Sequence, residues 1–284
     1  MQILHTIPEM RAALRQLRAN NGTVGFVPTM GALHDGHRSL FQAARSRCDF
    51  VAASIFVNPM QFGPNEDFTR YPRTLEADCR MLEMESVDLL FAPDAKEIYL
   101  TGASTVIRVD GIRDRLDGAS RPGHFDGVAT VVAKLFNIVQ PDLAFFGQKD
   151  AAQVAVLRRM VRDLDFPVEL VVCPTIREAD GLAMSSRNRY LSPEERRQAL
   201  VLSRALRAAE TLAQSGEHNP AHLLDTMRNI LAAEPAVKID YLEIVDADTL
   251  VSIADTGSGA LVAVAAYVGT TRLIDNLLLP MPQN

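Results

Sequence analysis

The sequence predicts an α/β fold: a parallel sheet with helices on both faces, followed by a smaller C-terminal α+β domain. Three observations predict it. Short, β-branched, nearly all-apolar runs recur up to Cys173, as strands buried on both faces should. Helical patterns separate them, and strand–helix alternation argues for a parallel sheet. Near Thr175 the pattern gives way to a polar segment rich in small residues, with long helices and two strand-like runs beyond it.

The elements follow in order. "MQILHTIPEMRAALRQLRAN" reads as a short strand and an amphipathic helix, without the apolar core of a secretory signal. "TVGFVPT", "FVAASIFV", "VDLLFAP", "DLAFFG" and "FPVELVVC" read as buried strands. Between them, "RSLFQAARSRC", "TLEADCRMLEMES", "GVATVVAKLFNIVQ" and "DAAQVAVLRRMVRDL" carry helical spacing. After the polar segment "PTIREADGLAMSSRNRYLSPEERR", Ser192 and Glu195 form a capping box with Pro193 at the first helical position. That helix runs to about Ala213, and Asn219-Pro220 starts another. "AVKIDYLEIVDA" and "ALVAVAAYVG" are expected to finish the chain as strands. The expected domains are residues 1–176 and 177–284. A Rossmann-like sheet of this kind binds ligands at the carboxyl ends of its strands, where strand order reverses.

Bulk properties narrow the function. A chain of 284 residues suits about two domains and buries a core without staples. A net charge of −6 and a pI of about 5.6 argue against nucleic acid, yet leave an anionic small molecule open. Cys48, Cys79 and Cys173 are odd in number, far apart and form no CxxC, so neither a disulfide framework nor a zinc site is expected. The apolar stretch "SGALVAVAAYVGTT" is too short to span a bilayer. No membrane partner and a cytoplasmic location follow as expectations.

The chemistry concentrates at "PTMGALHDGHRSL", where His34 and His37 stand at a strand-to-helix turn. Two such imidazoles could bind a metal, hold a phosphate or only pack. No third ligand lies at zinc-like spacing, which disfavours metal. A helix N-terminus offers unpaired backbone N–H groups and a positive dipole end, and Gly31 and Gly36 permit close approach. Phosphate is therefore the better reading, although neither a GxxxxGK[ST] loop nor GxGxxG is present.

"HDGH" resembles the HxGH signature of the nucleotidylyltransferase superfamily. "PTMGALHDGH", "SIFVNPMQFGPNEDFTRYPRT", "RPGHFDGVATVVAKLFNIVQPDLAFFGQKDAAQ" and "READGLAMSSRNRYLSPEER" together resemble the pantoate–β-alanine ligase family, from about Pro28 to Arg196. The resemblance implies a two-step reaction. Pantoate attacks the α-phosphate of ATP to give pantoyl adenylate and pyrophosphate, and β-alanine then displaces AMP. Mg²⁺ accompanies the ATP phosphates, and the family suggests a homodimer through the larger domain.

By the same resemblance His34, His37 and Lys149 are the catalytic candidates, with His37 matching a proton donor to the leaving group. The implied ATP site takes in Met30, Gly31, Ala32, Leu33, His34, Asp35, Gly36 and His37. It continues through Gly147, Gln148, Lys149 and Asp150, then Ile176, then Met184, Ser185, Ser186 and Arg187. Gln148 stands where the family often has Glu. Ala183 stands where the related KMSKS loop has lysine, so Arg187 and Lys149 are expected to carry the positive charge. Gln61 and Gln153 are implied for pantoate, with Gln61 also near β-alanine. No residue is expected as a resident metal ligand. His124 and Asp78 match family motifs without an assigned role. His5, His218, His222 and the pair Arg158-Arg159 read as surface.

Each feature has a plainer reading: a solvated Lys-Asp pair at a helix start, a polar linker, surface glutamines. Two rivals remain for the whole. One is a superfamily enzyme that transfers AMP to a phosphorylated substrate, which would need neither "NPMQF" nor GxKDxxQ. The other is a catalytically silent nucleotide-binding module.

Overall fold

A computed structural model describes residues 1–19, 21–64 and 66–280. The chain opens with β1 (Gln2–Leu4), α1 (Ile7–Arg18), β2 (Val24–Thr29), α2 (Asp35–Arg47) and β3 (Phe50–Ile55). It continues through α3 (Leu75–Met84), β4 (Leu89–Phe91), α4 (Ala95–Ile98), α5 (Asp117–Ser120), α6 (His124–Val139), β5 (Leu143–Gly147), α7 (Ala151–Asp163) and β6 (Glu169–Cys173). These six strands form one parallel sheet in the order β1-β4-β3-β2-β5-β6.

Both faces of that sheet are covered, and the strand sequences show why. Phe26, Ala52, Leu89, Phe91, Ala144 and Phe146 join one core cluster with residues of α1, α6 and α7. Their chain neighbours Val27, Val51, Ala53, Leu90 and Phe145 join another with Leu40, Phe41 and Ala44 of α2 and Leu82 of α3. Successive side chains of a strand point to opposite faces, so a sheet packed on both sides needs uninterrupted apolar runs. After β4 the chain crosses over β2 to place β5 on its other side. The carboxyl ends of β2 and β5 therefore adjoin at the point where strand order reverses, which is where such sheets leave a crevice.

Beyond β6 lie α8 (Pro193–Gln214), α9 (Pro220–Leu231), β7 (Val237–Val245), β8 (Ala260–Val268) and β9 (Thr271–Leu279). The capping box at Ser192 and Glu195 is present, as is the cap at Asn219. The three strands form an antiparallel sheet in the order β7-β8-β9. The sequence reading ended the chain on two strands, so β9 is a correction. It pairs with β8 from Val268↔Thr271 to Ala260↔Leu279. Its apolar run is broken by Arg272, Asp275 and Asn276, which disguises a strand as a loop. On β8, Val262, Val264, Ala266 and Val268 pack with α8 and α9, whereas Leu261 and Ala263 join the core of the first sheet. Residues 281–284, the end of the expected second domain, lie outside the described chain. Among the described residues no helix is long and apolar enough to cross a membrane.

Candidate active site

The turn from β2 into α2 is held by its own side chains together with Asp78 of α3. Gly31 (φ +79°) and Ala32 (φ +51°) reverse the chain just past Thr29. A β-carbon on Gly31 would sit 3.0 Å from Asp78 Oδ2, so the turn needs glycine twice over. Asp78, in the first turn of α3 and only 2% exposed, accepts from the backbone N–H groups of Ala32 (3.0 Å) and Leu33 (2.8 Å). Thr29 Oγ1 accepts from Gly31 N–H. Asp78, which the motifs left without a role, thus has a structural one: it pins the loop that carries the histidines.

His34 caps α2. Its Nδ1 accepts from Gly36 N–H (3.2 Å), and His37 Nδ1 accepts from His34 N–H (3.3 Å). A β-carbon on Gly36 would fall 2.9 Å from the His34 ring. A backbone N–H can only donate, so both Nδ1 atoms are unprotonated and both protons sit on Nε2. The rings stand 4.1 Å apart and both line a cavity of about 220 Å³. Burial, then the nearby Lys149 ammonium, pushes His34 down to about 4. Burial, His34 and Lys149 together push His37 down to about 3. Two neutral imidazoles therefore offer Nε2–H donors here. The expectation that free backbone N–H groups of the helix start would meet a phosphate does not hold. Those of Gly31, Ala32, Leu33, His34 and Gly36 are already paired, with Asp78 of α3 or with the loop's own side chains.

Lys149 enters from β5. It sits in a short 3₁₀ turn, Gln148–Asp150, between that strand and α7, with its ammonium 3.7 Å from the Asp150 carboxylate. Gln153, one turn into α7, faces the same space. From β9, Asn276 Nδ2 donates to the Gln148 (3.1 Å) and Lys149 (2.8 Å) carbonyls, and Asn276 Oδ1 accepts from Gln148 Nε2 (3.1 Å).

The segment Met184–Arg187 closes the other side. Met184 N–H donates to the Ile176 carbonyl, and Ser185 caps the turn Ser186–Tyr190 by accepting from Arg187 N–H. Arg187 makes a bidentate pair with Asp67 (3.1 and 2.9 Å), and its guanidinium lies 5.9 Å from the Tyr71 ring. Burial opposes charge on Asp67, but the Arg187 bonds outweigh it and hold the carboxyl below its usual range. Arg121 makes a similar pair with Glu66 (2.8 and 2.6 Å). Its Nη1 also meets His124 Nε2 at 3.0 Å, so that nitrogen accepts and His124 Nδ1 donates to the Gln61 carbonyl at 2.8 Å. Burial, then Arg121, pushes His124 down to about 4.

A second cavity of about 810 Å³ continues from the first toward β9 and α5. The two share Arg121, His124, Lys149, Asp150, Gln153, Ser185 and Arg187. Met30, His34, His37, Gln61, Met184 and Ser186 line the smaller one. The structure thus brings together most of the sequence candidates. Gly31, Ala32, Leu33, Asp35, Gly36, Gly147, Gln148 and Ile176 do not line either cavity; they shape the turns behind it. Asp67, Tyr71, Glu66, Arg121 and Asn276 escaped the sequence reading. The charged and aromatic run "NEDFTRYPRT" could have flagged the first three. Asn276 lay in a strand that was not recognised.

This crevice gathers imidazole, ammonium and guanidinium groups at adjoining strand ends, with amides beside them. It can hold a polyphosphate and an acid side by side. The profile of the family described as Pantoate-beta-alanine ligase matches residues 2–278. The chain belongs to the pantoate–β-alanine ligase family. It is 62% identical to a pantothenate synthetase of Acidobacterium capsulatum, over 98% of this chain and 97% of that one. Among solved structures, a pantothenate synthetase from Thermus thermophilus matches with a TM-score of 0.94 and 52% identity, covering 99% of this chain and 100% of the other. A pantoate–β-alanine ligase from Francisella tularensis, complexed with β,γ ATP and β-alanine, matches with a TM-score of 0.80 and 35% identity over 98% and 97%.

Proposed function

We propose that the crevice makes pantothenate from pantoate, β-alanine and ATP in two steps, and that His34, His37 and Lys149 carry the first. A pantoate carboxylate oxygen attacks the α-phosphorus, and the bond to pyrophosphate breaks. Negative charge grows on the phosphate oxygens and on the leaving group. Fixed donors aimed at that charge are the main source of acceleration in such a step. The observation that carries the reading is the pair of self-capped imidazoles beside Lys149, each with its Nε2–H free of the cap. Neutral donors of this kind stabilise the phosphate charge by hydrogen bonding. His37 then acts electrostatically, since an imidazolium would put a second proton on the Nδ1 that accepts from His34 N–H. In the second step the β-alanine amine attacks the acyl carbon, AMP leaves with the bonding pair, and the amine sheds a proton.

Gln61 and Gln153 are the proposed pantoate ligands, with Gln61 shared with β-alanine. An amide meets a carboxylate or hydroxyl without trapping it as an ion pair. Arg187, Ser185 and Ser186 are proposed to hold the triphosphate. Mg²⁺ is proposed to arrive with ATP and to keep most of its waters. Among the described residues lining the cavities, Glu66, Asp67, Asp117 and Asp275 are each bonded to an arginine, and Asp150, 3.7 Å from the Lys149 ammonium, is the carboxylate without an arginine and is proposed to face that ion. The unit from residue 177 is proposed to serve as a lid. A homodimer through the larger unit is supported by the exposed stretch after α4, where Leu100 is 72% and Val106 43% exposed. A cytoplasmic location is proposed with it.

Pyrophosphate exchange tests the first step. Labelled pyrophosphate should enter ATP only when pantoate is present, before any β-alanine is added. His37→Ala and Lys149→Ala should each lower that exchange by about 100-fold or more. Near-normal exchange in either variant removes that residue from the site.

A further inference from the structure

Gln61 sits at the end of a hydrogen-bonded chain whose sense is fixed by backbone groups. Asn58, 1% exposed, accepts at Oδ1 from Met60 N–H (3.2 Å) and donates from Nδ2 to the Gly127 carbonyl (3.1 Å). A backbone N–H only donates and a carbonyl only accepts, so these two contacts decide which end of the Asn58 amide is oxygen. Asn58 Nδ2 also donates to Gln61 Oε1 at 3.1 Å. The Gln61 oxygen is therefore turned inward. Among the described residues its Nε2 meets only Met30 Sδ (2.9 Å), a weak acceptor, at the cavity wall.

Asn58 Oδ1 takes one more donor, the Tyr99 hydroxyl, at 2.8 Å. This is the shorter of its two bonds. Tyr99 lines neither cavity. Its ring is held by Phe56, at 6.2 Å between centroids, and by the Lys134 ammonium at 5.9 Å. No step of the reaction described above uses it.

We propose that Tyr99 is a positioning residue that acts through Asn58 to keep the Gln61 amide donor-outward, so that the site selects a substrate oxygen that accepts hydrogen bonds. This rests on Gln61 as a pantoate ligand. An amide can present its oxygen or its nitrogen with nearly equal shape, and only its partners choose between them. Without the hydroxyl, Asn58 Oδ1 keeps the longer Met60 bond alone, so its amide, whose sense the backbone still sets, is anchored less firmly against Gln61 Oε1, and the Gln61 amide is freer to turn over. An outward Gln61 oxygen would repel a carboxylate.

The test is a double-mutant cycle on pyrophosphate exchange, titrating pantoate and ATP separately, with Tyr99→Phe, Gln61→Ala and the pair. Phenylalanine keeps the ring packing, and a melting curve checks that the fold is retained. Tyr99→Phe should raise the KM for pantoate by about 3- to 10-fold, as for one lost neutral hydrogen bond, and leave the KM for ATP unchanged. In the Gln61→Ala background the same change should have no further effect on pantoate. An unchanged pantoate KM in Tyr99→Phe, or an effect that persists without Gln61, overturns the relay. A silent Gln61→Ala would instead overturn the acid-site reading beneath it, and the relay with it. Should Tyr99→Phe melt early, Asn58→Ser serves in its place, since it removes the amide through which Tyr99 reaches Gln61 Oε1.

Discussion

His34 and His37 illustrate how a single residue type can be tuned by its surroundings. Both Nδ1 atoms are tied to backbone N–H groups, and both rings are held far below the ordinary value of 6.5, at about 4 and about 3. His124, at about 4, behaves alike behind Arg121. The consequence for stability has a definite sign. As pH falls below 6.5 the unfolded chain takes up protons at these positions and the folded chain does not. Stability is therefore full above 6.5 and declines as pH drops toward 4. Urea unfolding at about pH 7.5 and pH 5 should give a lower midpoint at the acid value, in a window above the usual carboxylate range. Equal midpoints would mean that the rings are not buried in their neutral form. Gly36 is the partner residue of this arrangement, because any side chain there would strike the His34 ring.

At the scale of elements, α3 and the loop before it brace the proposed site. Asp78 of α3 satisfies two backbone N–H groups of the histidine loop. Asp78→Ala would orphan both, at about 1–3 kcal/mol each, and thermal or urea unfolding should register the loss. A variant as stable as the parent would show that the loop finds other acceptors. Asp67, from the loop ahead of α3, engages Arg187 in a two-bond clasp, which a phosphate would have to open if Arg187 binds it as proposed. Asp67→Asn should therefore tighten ATP binding by about 5-fold or more, as one charge-assisted competitor is weakened. Weaker binding would identify Asp67 as the scaffold of Arg187. Neither carboxylate was legible as a functional group in the sequence. Their roles depend on contacts across 46 or 120 positions of chain, which no local spacing reveals. The strands up to β6 were legible because burial on both faces forces continuous apolar runs, and α8 because its capping box is local. β9 was not, because Asp275 (3% exposed) and Asn276 (5% exposed) place polar groups where a core strand would have apolar ones.

Across the whole molecule, those same polar residues join the second sheet to the first. Arg177 pairs with Asp275 in two bonds of 2.6 and 2.9 Å, and Arg272 bridges Asp117 of α5 and Asp240 of β7. Leu261 and Ala263 add an apolar seam by packing into the core of the first sheet. Asn276 completes the join by clasping the carbonyls on either side of the Lys149 turn. Asn276→Ala should leave those carbonyls unpaired and lower pantoate-dependent exchange by about 10-fold, more than it lowers nucleotide retention. Unchanged exchange would uncouple the second sheet from the lysine.

The clasp of Asn276 on Gln148 and Lys149 also sets an order of events at the ribosome. The histidine loop, the lysine turn and the arginine segment are all translated well before β9, yet the lysine turn lacks its partners until that strand emerges and pairs with β8. A nascent chain therefore holds all six strands of its first sheet before the strand that clasps the Lys149 turn. A chain that stopped short of β9 would carry the proposed catalytic side chains without the strand that holds the Lys149 turn.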